Sequence, residues 1–317
     1  MRRIARTLLL TAAMAVPLFA APDQHQPIVL VIPFSAGGSN DLIGRYLADR
    51  LSRLWNQTIV VENRPGAGAA IGSAHVARSA PDGRTLLFVS SSLTTLAATV
   101  TNLPFNPMKD LQPVGLTAVG QTVIVTGSRV PMLTPGSLIE RARSRTIFFG
   151  TAGVGTTSHL AAELLNHTAG IKMTAVHYRG ATNAMIDMAG GRLDVYVGAV
   201  ASLMSSIAGK TATPIAIVGR RRDPALPGVP TMAEAGFPGA DADVWWGVFA
   251  PSGTPTTVVA RINEGINTVM ETPQSKTLLA RNGAAPGRMS VEAFERLVAA
   301  DFQKWSGLAR ARGISIN

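Results

Sequence analysis

The sequence predicts an α/β protein of two lobes with a ligand cleft between them. Three observations predict it. Apolar, β-prone runs alternate with helical patterns along the chain, the signature of a mostly parallel, helix-covered sheet. The chain has 317 residues, 46% of them hydrophobic, ample for two globular domains. Two Gly-containing loops, one in each half, follow a strand-like run and open a helix: Pro33 to Asp41 and Gly150 to His159. A helix start offers unpaired N–H groups and the positive end of the macrodipole, a seat for an anion. Two such seats suggest a carboxylate clamped between two lobes.

The elements follow in order. Ile28–Ile32 reads as a buried strand, and 41–55 as an amphipathic helix with Leu42, Ile43, Tyr46, Leu47, Leu51 and Leu54 near helical spacing. A β-branched strand at 59–62 runs into the loop Asn63 to Gly68. A small-residue helix at 69–79 stops at Pro81-Asp82-Gly83, and 86–89 is the next strand. Residues 121–126 form another strand, followed by Pro131 and Pro135. The second half starts near Thr146, with a helix at 157–168, a strand at 172–177, a helix at 181–189, and strands at 193–197 and 214–218. A Pro- and Gly-rich loop, 223–239, precedes a strand at 244–250, and helices at 255–270 and 291–311 close the chain.

Composition narrows the setting. Arg2, Arg3 and Arg6 precede an apolar stretch at 8–21 that is short for a membrane span, so residues 1–21 read as a secretory signal and the mature protein as periplasmic. Cutting after Ala20 or Ala21 puts Leu18 or Phe19 where a small residue is expected. The absence of cysteine excludes disulfides, a lipoprotein anchor and Cys-ligated metal. The formal charge of +10 falls to +7 once the three arginines of the acid-free segment 1–21 are removed. The remaining basic residues are scattered, with short clusters at Arg141/Arg143/Arg145 and Arg220-Arg221-Arg222 and no interleaved aromatics, which speaks against nucleic-acid binding.

Two loops carry the candidate chemistry. In the first, Gly37 and Gly38 clear side chains from the backbone donors, Ser35 and Ser39 add hydroxyls, and Asp41 supports the helix start. A branched residue at Gly38 is expected to cover those donors and to demand a disfavoured φ. In the second, Gly153 and Gly155 open the backbone, and Thr156, Thr157 and Ser158 offer hydroxyls, one of which is a helix cap. The bland alternative for each loop is a tight turn before a capped helix. Ser90-Ser91-Ser92 stands at a strand C-terminus, where ligands gather in open sheets, or is a polar loop. Tyr178 and Arg179 either reach a distal ligand group or, for Arg179, tie the lobes by an ion pair. His159, Glu163 and His167 share a helix face but lack a zinc motif, so a structural role is expected. Trp245 and Trp246, adjacent on a strand, face opposite sides; one belongs to the core and the other flanks the cleft.

The sequence resembles the tripartite tricarboxylate transporter substrate-binding proteins, also called Bug proteins. The resemblance rests on Pro33-Phe34-x-x-Gly37-Gly38-x-x-Asp41, on Val61 to Gly68, and on Ala80-Pro81-Asp82-Gly83. It continues through Ala152-Gly153-x-Gly155-Thr156-x-Ser158-His159-Leu160, Tyr178-Arg179-Gly180, Val229-Pro230-Thr231-x-x-Glu234-x-Gly236 and Trp246-Gly247-x-Phe249-Ala250-Pro251. The family usually has Lys where Arg179 stands, and the segment after Asp194, Tyr196 to Val200, departs from it. The resemblance implies a type II-like periplasmic-binding-protein fold with crossover strands near 121–126 and 244–250. Lobe 1 would then comprise 27–122 and 246–317, and lobe 2 would comprise 123–245. It also implies a small carboxylate held through backbone groups of the first loop, with ordered water. The candidate ligand-binding set is Phe34, Ser35, Ala36, Gly37, Gly38, Ser39, Asp41, Ser90, Ser91, Thr151, Ala152, Gly155, Thr156, Thr157, Ser158, Tyr178 and Arg179. The implied partners are the ligand and membrane transporter subunits, with a monomeric receptor, no cofactor and no metal.

Enzyme signatures are missing. Gly66 to Gly72 misses the dinucleotide-binding spacing by one residue, and neither a P-loop nor a GxSxG elbow occurs. A sensor subunit using the same cleft to signal to a membrane receptor is the alternative function, and a hydrolase a remote one.

Overall fold

The computed structural model describes residues 26–127, 133–239 and 241–314. The expected signal segment and Pro131 lie outside them. The chain starts with β1 (Ile28–Ile32), α1 (Ser39–Trp55), β2 (Ile59–Asn63), α2 (Ala70–Ala77), β3 (Thr85–Ser90), α3 (Ser92–Thr99), a short α4 (Pro107–Asp110) and β4 (Leu111–Gly120). It crosses at Gln121 into β5 (Thr122–Gly127), α5 (Pro135–Ser144), β6 (Phe148–Thr151), α6 (Thr157–Ala169), β7 (Thr174–His177), α7 (Ala181–Ala189), β8 (Val195–Ala199), α8 (Val200–Ala208) and β9 (Ala212–Val218). It returns with β10 (Val244–Pro251), α9 (Thr256–Glu271), α10 (Pro273–Arg281), β11 (Ala284–Pro286) and α11 (Val291–Arg312).

The strands form two sheets, ordered β11-β4-β10-β3-β1-β2 and β7-β6-β8-β5-β9. This is the two-lobe periplasmic-binding-protein architecture. Thr122 already pairs in the second sheet, with Ala199 and Val218, and Val244 already pairs in the first, with Gly120. Each sheet has a parallel part, β2-β1-β3 and β7-β6-β8, and an antiparallel part built by the strands next to the crossings.

Local sequence explains the parallel parts. β1 is uninterrupted apolar sequence because helices cover both of its faces. α1 turns Ile43, Leu47 and Leu51 into the core and leaves Leu54 half exposed. Asn56, in a left-handed conformation, ends it. Sequence periodicity missed β4, which carries Pro113, Gly115 and Gly120. Its ladder with β10 slips register between Trp246 and Gly247 and again between Val248 and Phe249, and Pro113 sits beside the second slip. Irregularity of this kind is how a strand accommodates proline.

The cores divide by lobe. Phe88, Trp246, Phe249 and Phe294 pack in the first. Phe149, Leu160 and Leu165 cover one face of the second sheet, and Met188, Tyr196 and Leu203 the other. α11 joins the lobes: Phe294 and Val298 belong to the first core, whereas Trp305 is wholly buried in the second.

Candidate functional site

Between the sheets lies a cavity of about 50 Å³, walled by both lobes. The N-termini of α1, α3, α6, α7 and α8 converge on it, represented by Ser39 and Asn40, Ser92, Thr157 and Ser158, Ala181, and Ala199 and Ser202. None of these helices has a side-chain hydrogen bond at its cap position. Away from the cavity, α4, α5, α10 and α11 are capped by Asn106, Thr134, Thr272 and Ser290, whereas α2 and α9 also lack such a bond. Each helix start carries roughly half a positive charge. The cavity wall therefore has a positive potential although no Lys, Arg or His side chain lines it.

The lobes are latched around the cavity by hydrogen bonds. The Ser35 amide donates to the Arg179 carbonyl at 3.0 Å. Thr182 Oγ1 donates to the Ala36 carbonyl at 3.0 Å. Ser202 Oγ accepts from the Ser39 amide at 3.1 Å and donates to Ser39 Oγ at 2.8 Å. On the opposite rim, the Ser91 and Thr157 hydroxyls are 2.9 Å apart, and the Thr157 amide donates to Ser92 Oγ. A Cβ on Gly68, whose φ is +60°, would collide with the Val154 carbonyl, so a bare backbone is what lets these two loops meet.

Of the residues singled out in the sequence, Phe34, Ser35, Gly38, Ser39, Ser90, Ala152, Thr157 and Ser158 line the cavity. The others surround it. Gly37 takes the left-handed φ of +90°, whereas Gly38 has an ordinary φ of −86°. The conformational constraint expected at Gly38 therefore falls on Gly37. Asp41 faces away from the cavity, accepting from the Gly37 amide, Arg45 and Asn63. Burial opposes its ionisation, but those hydrogen bonds outweigh burial and hold its carboxyl below the ordinary value. Ala36 and Ser91 serve the latches. Thr156 Oγ1 donates to the Gly153 carbonyl, and Thr151 Oγ1 meets His177 Nδ1 at 2.9 Å. The Gly155 amide donates to His159 Nδ1. The Tyr178 hydroxyl donates to Asp187; burial and that carboxylate push its pKa up to about 12. Arg179 contributes its carbonyl to a latch and leaves its side chain exposed.

His159 is a buried support for the second loop. Its ring lies edge-on to His177 with centroids 4.7 Å apart, and Nε2 is 3.9 Å from Glu163. Burial, then the charge of His177, pushes its pKa down to about 4.

Ser92, the last residue of the Ser90-Ser91-Ser92 segment, also lines the wall, but sequence reasoning missed Asn40, Thr122, Gly180, Ala181, Tyr196, Gly198, Ala199, Ser202 and Val244 there. One signal was present: the segment Tyr196 to Val200 departs from the family pattern, and the wall draws Tyr196, Gly198 and Ala199 from there. The opposite-face argument for the paired tryptophans holds. Trp246 lines the cavity, and Trp245 points the other way, donating from Nε1 to Asp301 at 3.0 Å.

Comparison with known proteins agrees with this geometry. The family model described as tripartite tricarboxylate transporter family receptor matches residues 43–314. The chain is 31% identical over 310 residues to protein BugT of Bordetella pertussis, covering 96% of this chain and 95% of that one. Among solved structures, Rpa4515 of R. palustris with adipate superposes with a TM-score of 0.88 at 30% identity, covering 92% of this chain and 99% of that one. MatC from Rhodopseudomonas palustris with bound malate superposes with a TM-score of 0.85 at 27% identity, covering 89% and 98%.

Proposed function

The chain belongs to the tripartite tricarboxylate transporter receptor family, and from that premise we propose that it captures a small carboxylate in the interlobe cavity for delivery to a transporter of this type. The observation that carries the reading is the convergence of five helix N-termini on one cavity whose two lobes are latched together. The aligned dipoles favour an anion there, together with the first-turn N–H groups that the Ser39–Ser202 and Thr157–Ser92 latches leave open, and the serine and threonine hydroxyls add donors. The lobes, 27–122 with 246–317 and 123–245, close on the ligand about the two crossings, and the Gly37-Gly38 and Thr156–Ser158 loops hold it from opposite sides. The protein works as a periplasmic monomer after loss of residues 1–21. No helix among the described residues is long and apolar enough to cross a membrane; in this reading, separate membrane subunits carry out the transport.

Thermal denaturation against a library of carboxylic acids, neutral sugars and divalent metals tests the reading. An acid at a hundred times its Kd adds about 2.7 kcal/mol of stability. Shifts from sugars or metals alone would overturn the carboxylate claim. Uptake of the tightest acid by cells lacking this protein should fall; unchanged uptake would favour the sensor role over transport.

A further inference from the structure

A second cavity lies across β10 from the first. Trp245 and Trp246 point to opposite faces of that strand; Trp246 walls the cleft cavity, Trp245 walls the second one, and Val244 walls both. Its volume is about 770 Å³, within the range of roughly 300–1,000 Å³ typical of small-molecule sites. Both crossings contribute to it, through Gln121 and Asp243. The first lobe supplies an apolar wall, with Val119, Trp245, Ala285 and Leu297, and the second supplies Arg220, Arg221 and Asp223. At its edge the lobes touch: Gly283, between α10 and β11, has a φ of +64° and lies so close to Val200 of α8 that a Cβ would collide. The shape of this hinge cavity is therefore tied to the angle between the lobes.

Its charges come in both signs, side by side. Asp223 is 2% exposed and accepts from the Ala225 amide at 2.8 Å. Burial raises its pKa, against the pull of that bond and of the Arg221 charge. Burial also raises Asp243, against the pull of Lys304, Arg220 and Arg221. Neither Arg221 nor Asp243 has a salt-bridge partner among the described residues, and Arg220 reaches Asp241 only at 3.6 Å. The carboxylates gain from an ammonium group, and the guanidinium groups from a carboxylate. A simple anion would meet Asp223 and Asp243, and a simple cation would meet the arginines. A zwitterion whose two charges share one carbon satisfies both signs and leaves an apolar side chain for Trp245 and Leu297. We infer that the hinge cavity is a second ligand site, for an α-amino acid with an apolar side chain, and that its occupancy favours the latched arrangement of the lobes. A molecule that touches both lobes in this arrangement loses contacts when they rotate, so it shifts the equilibrium toward closure. The site itself is independent of the carboxylate reading of the cleft; its coupling to the cleft rests on that reading.

Calorimetric titration of the mature protein with phenylalanine tests the inference. The comparison ligands are 3-phenylpropionate, 2-phenylethylamine and glycine, which lack the ammonium, the carboxylate and the apolar group in turn. The series is measured in the wild type and in Gly38→Val, where the cleft is blocked. Phenylalanine should bind the hinge cavity roughly tenfold or more tighter than each of the others, the effect of one charged pair or of the buried ring. Ala285→Trp, which fills the cavity from an exposed position on β11, should abolish phenylalanine binding and leave the tightest cleft acid unaffected. Asp243→Asn should weaken phenylalanine several-fold without weakening 3-phenylpropionate, a split that a merely structural aspartate would not produce. Saturating phenylalanine should tighten the cleft acid roughly fivefold or more. If phenylalanine does not bind, binds no better than its singly charged analogues, or is lost in Gly38→Val and kept in Ala285→Trp, the inference fails and the cleft reading stands. An acid affinity unchanged or weakened by phenylalanine overturns the coupling. If no acid binds the cleft, the carboxylate reading fails instead, and small-angle scattering decides the coupling by whether phenylalanine contracts the protein. The ligand series in the wild type and in Gly38→Val decides the site even where Ala285→Trp does not fold.

Discussion

Ser39 and Ser202, 163 positions apart, are joined by two hydrogen bonds: the Ser39 amide to Ser202 Oγ at 3.1 Å, and Ser202 Oγ to Ser39 Oγ at 2.8 Å. The pair links the N-terminus of α1 to the first turn of α8 and forms part of the cavity wall. Closure of the lobes is thus built from the same groups that wall the cavity.

Ser202→Ala should therefore weaken binding of the tightest acid while leaving the fold intact. Two neutral hydrogen bonds contribute about 1–3 kcal/mol, so affinity should fall roughly 5- to 150-fold. Thr182→Val, which removes the latch to the Ala36 carbonyl away from the cavity wall, should cost about one such bond, a few-fold to tenfold. Calorimetry measures both. Equal affinity in all three proteins would show that the latches do not contribute to closure.

The glycines separate binding from closure. A Cβ on Gly38 meets nothing within 4 Å and demands no unusual φ, yet Gly38 lines the cavity. Gly38→Val should keep the wild-type circular dichroism spectrum and melting behaviour, while blocking two charge-assisted donors at roughly 1.5–3 kcal/mol each, a loss of two to four orders of magnitude in affinity. Gly68→Ala should act differently, because its Cβ cannot coexist with the Val154 carbonyl in the closed form. Small-angle scattering with saturating acid should show Gly68→Ala failing to contract as the wild type does. A normal contraction would mean that the loops pass each other some other way.

Acid should loosen the second loop. The folded pKa of His159, about 4, is below its ordinary value of 6.5 because burial, and then the charge of His177, disfavour its charged form. A histidine with a depressed folded pKa stabilises the fold fully above pH 6.5 and loses that stability as pH falls toward 4. Protonation also removes the Nδ1 acceptor used by the Gly155 amide. His177 is lowered by its own burial and acts in the same direction, whereas the adjacent Glu163, raised by burial, acts in the opposite one. The His159 contribution is of order 3 kcal/mol across that window. His159→Asn, which keeps an acceptor and cannot titrate, should flatten the urea-stability profile between pH 6.5 and 4. An unchanged slope would place the titration elsewhere.

The limits of reading the site from sequence are physical. β1, α1 and the two Gly-bearing loops were legible because their apolar spacing and turn residues are local signals. So was the opposed placement of Trp245 and Trp246, since strand alternation dictates it. β4 was hidden because Pro113 and its glycines are tolerated only through the register slips against β10, a property of the partner strand. Ser202 was hidden because it reaches the wall from the start of α8, and α8 meets α1 only after the lobes close. Conversely, the hydroxyl of Tyr178 looked available in sequence, but Asp187 engages it. Which hydroxyl remains free for a ligand is settled by tertiary partners, and residue type alone does not reveal it.

Fluorescence should report closure through one tryptophan. Trp246 is wholly buried, lines the cavity and has an unpartnered Nε1, so a ligand arriving there alters both the contacts and the polarity around its ring. Trp245 lies on the other face of β10, its Nε1 already bonded to Asp301. Trp55 and Trp305 are absent from the cavity wall. Trp246→Phe should therefore abolish most of the ligand-induced change in emission. Trp245→Phe should retain that change but lower stability by roughly 1.5–3 kcal/mol, the size of a lost hydrogen bond to a charged group. The two variants invert each other's phenotype, so a single titration followed by urea denaturation of each is sufficient. If the signal survives in Trp246→Phe and vanishes in Trp245→Phe, the ligand lies on the opposite face of β10, and the cavity between the sheets is not the binding site.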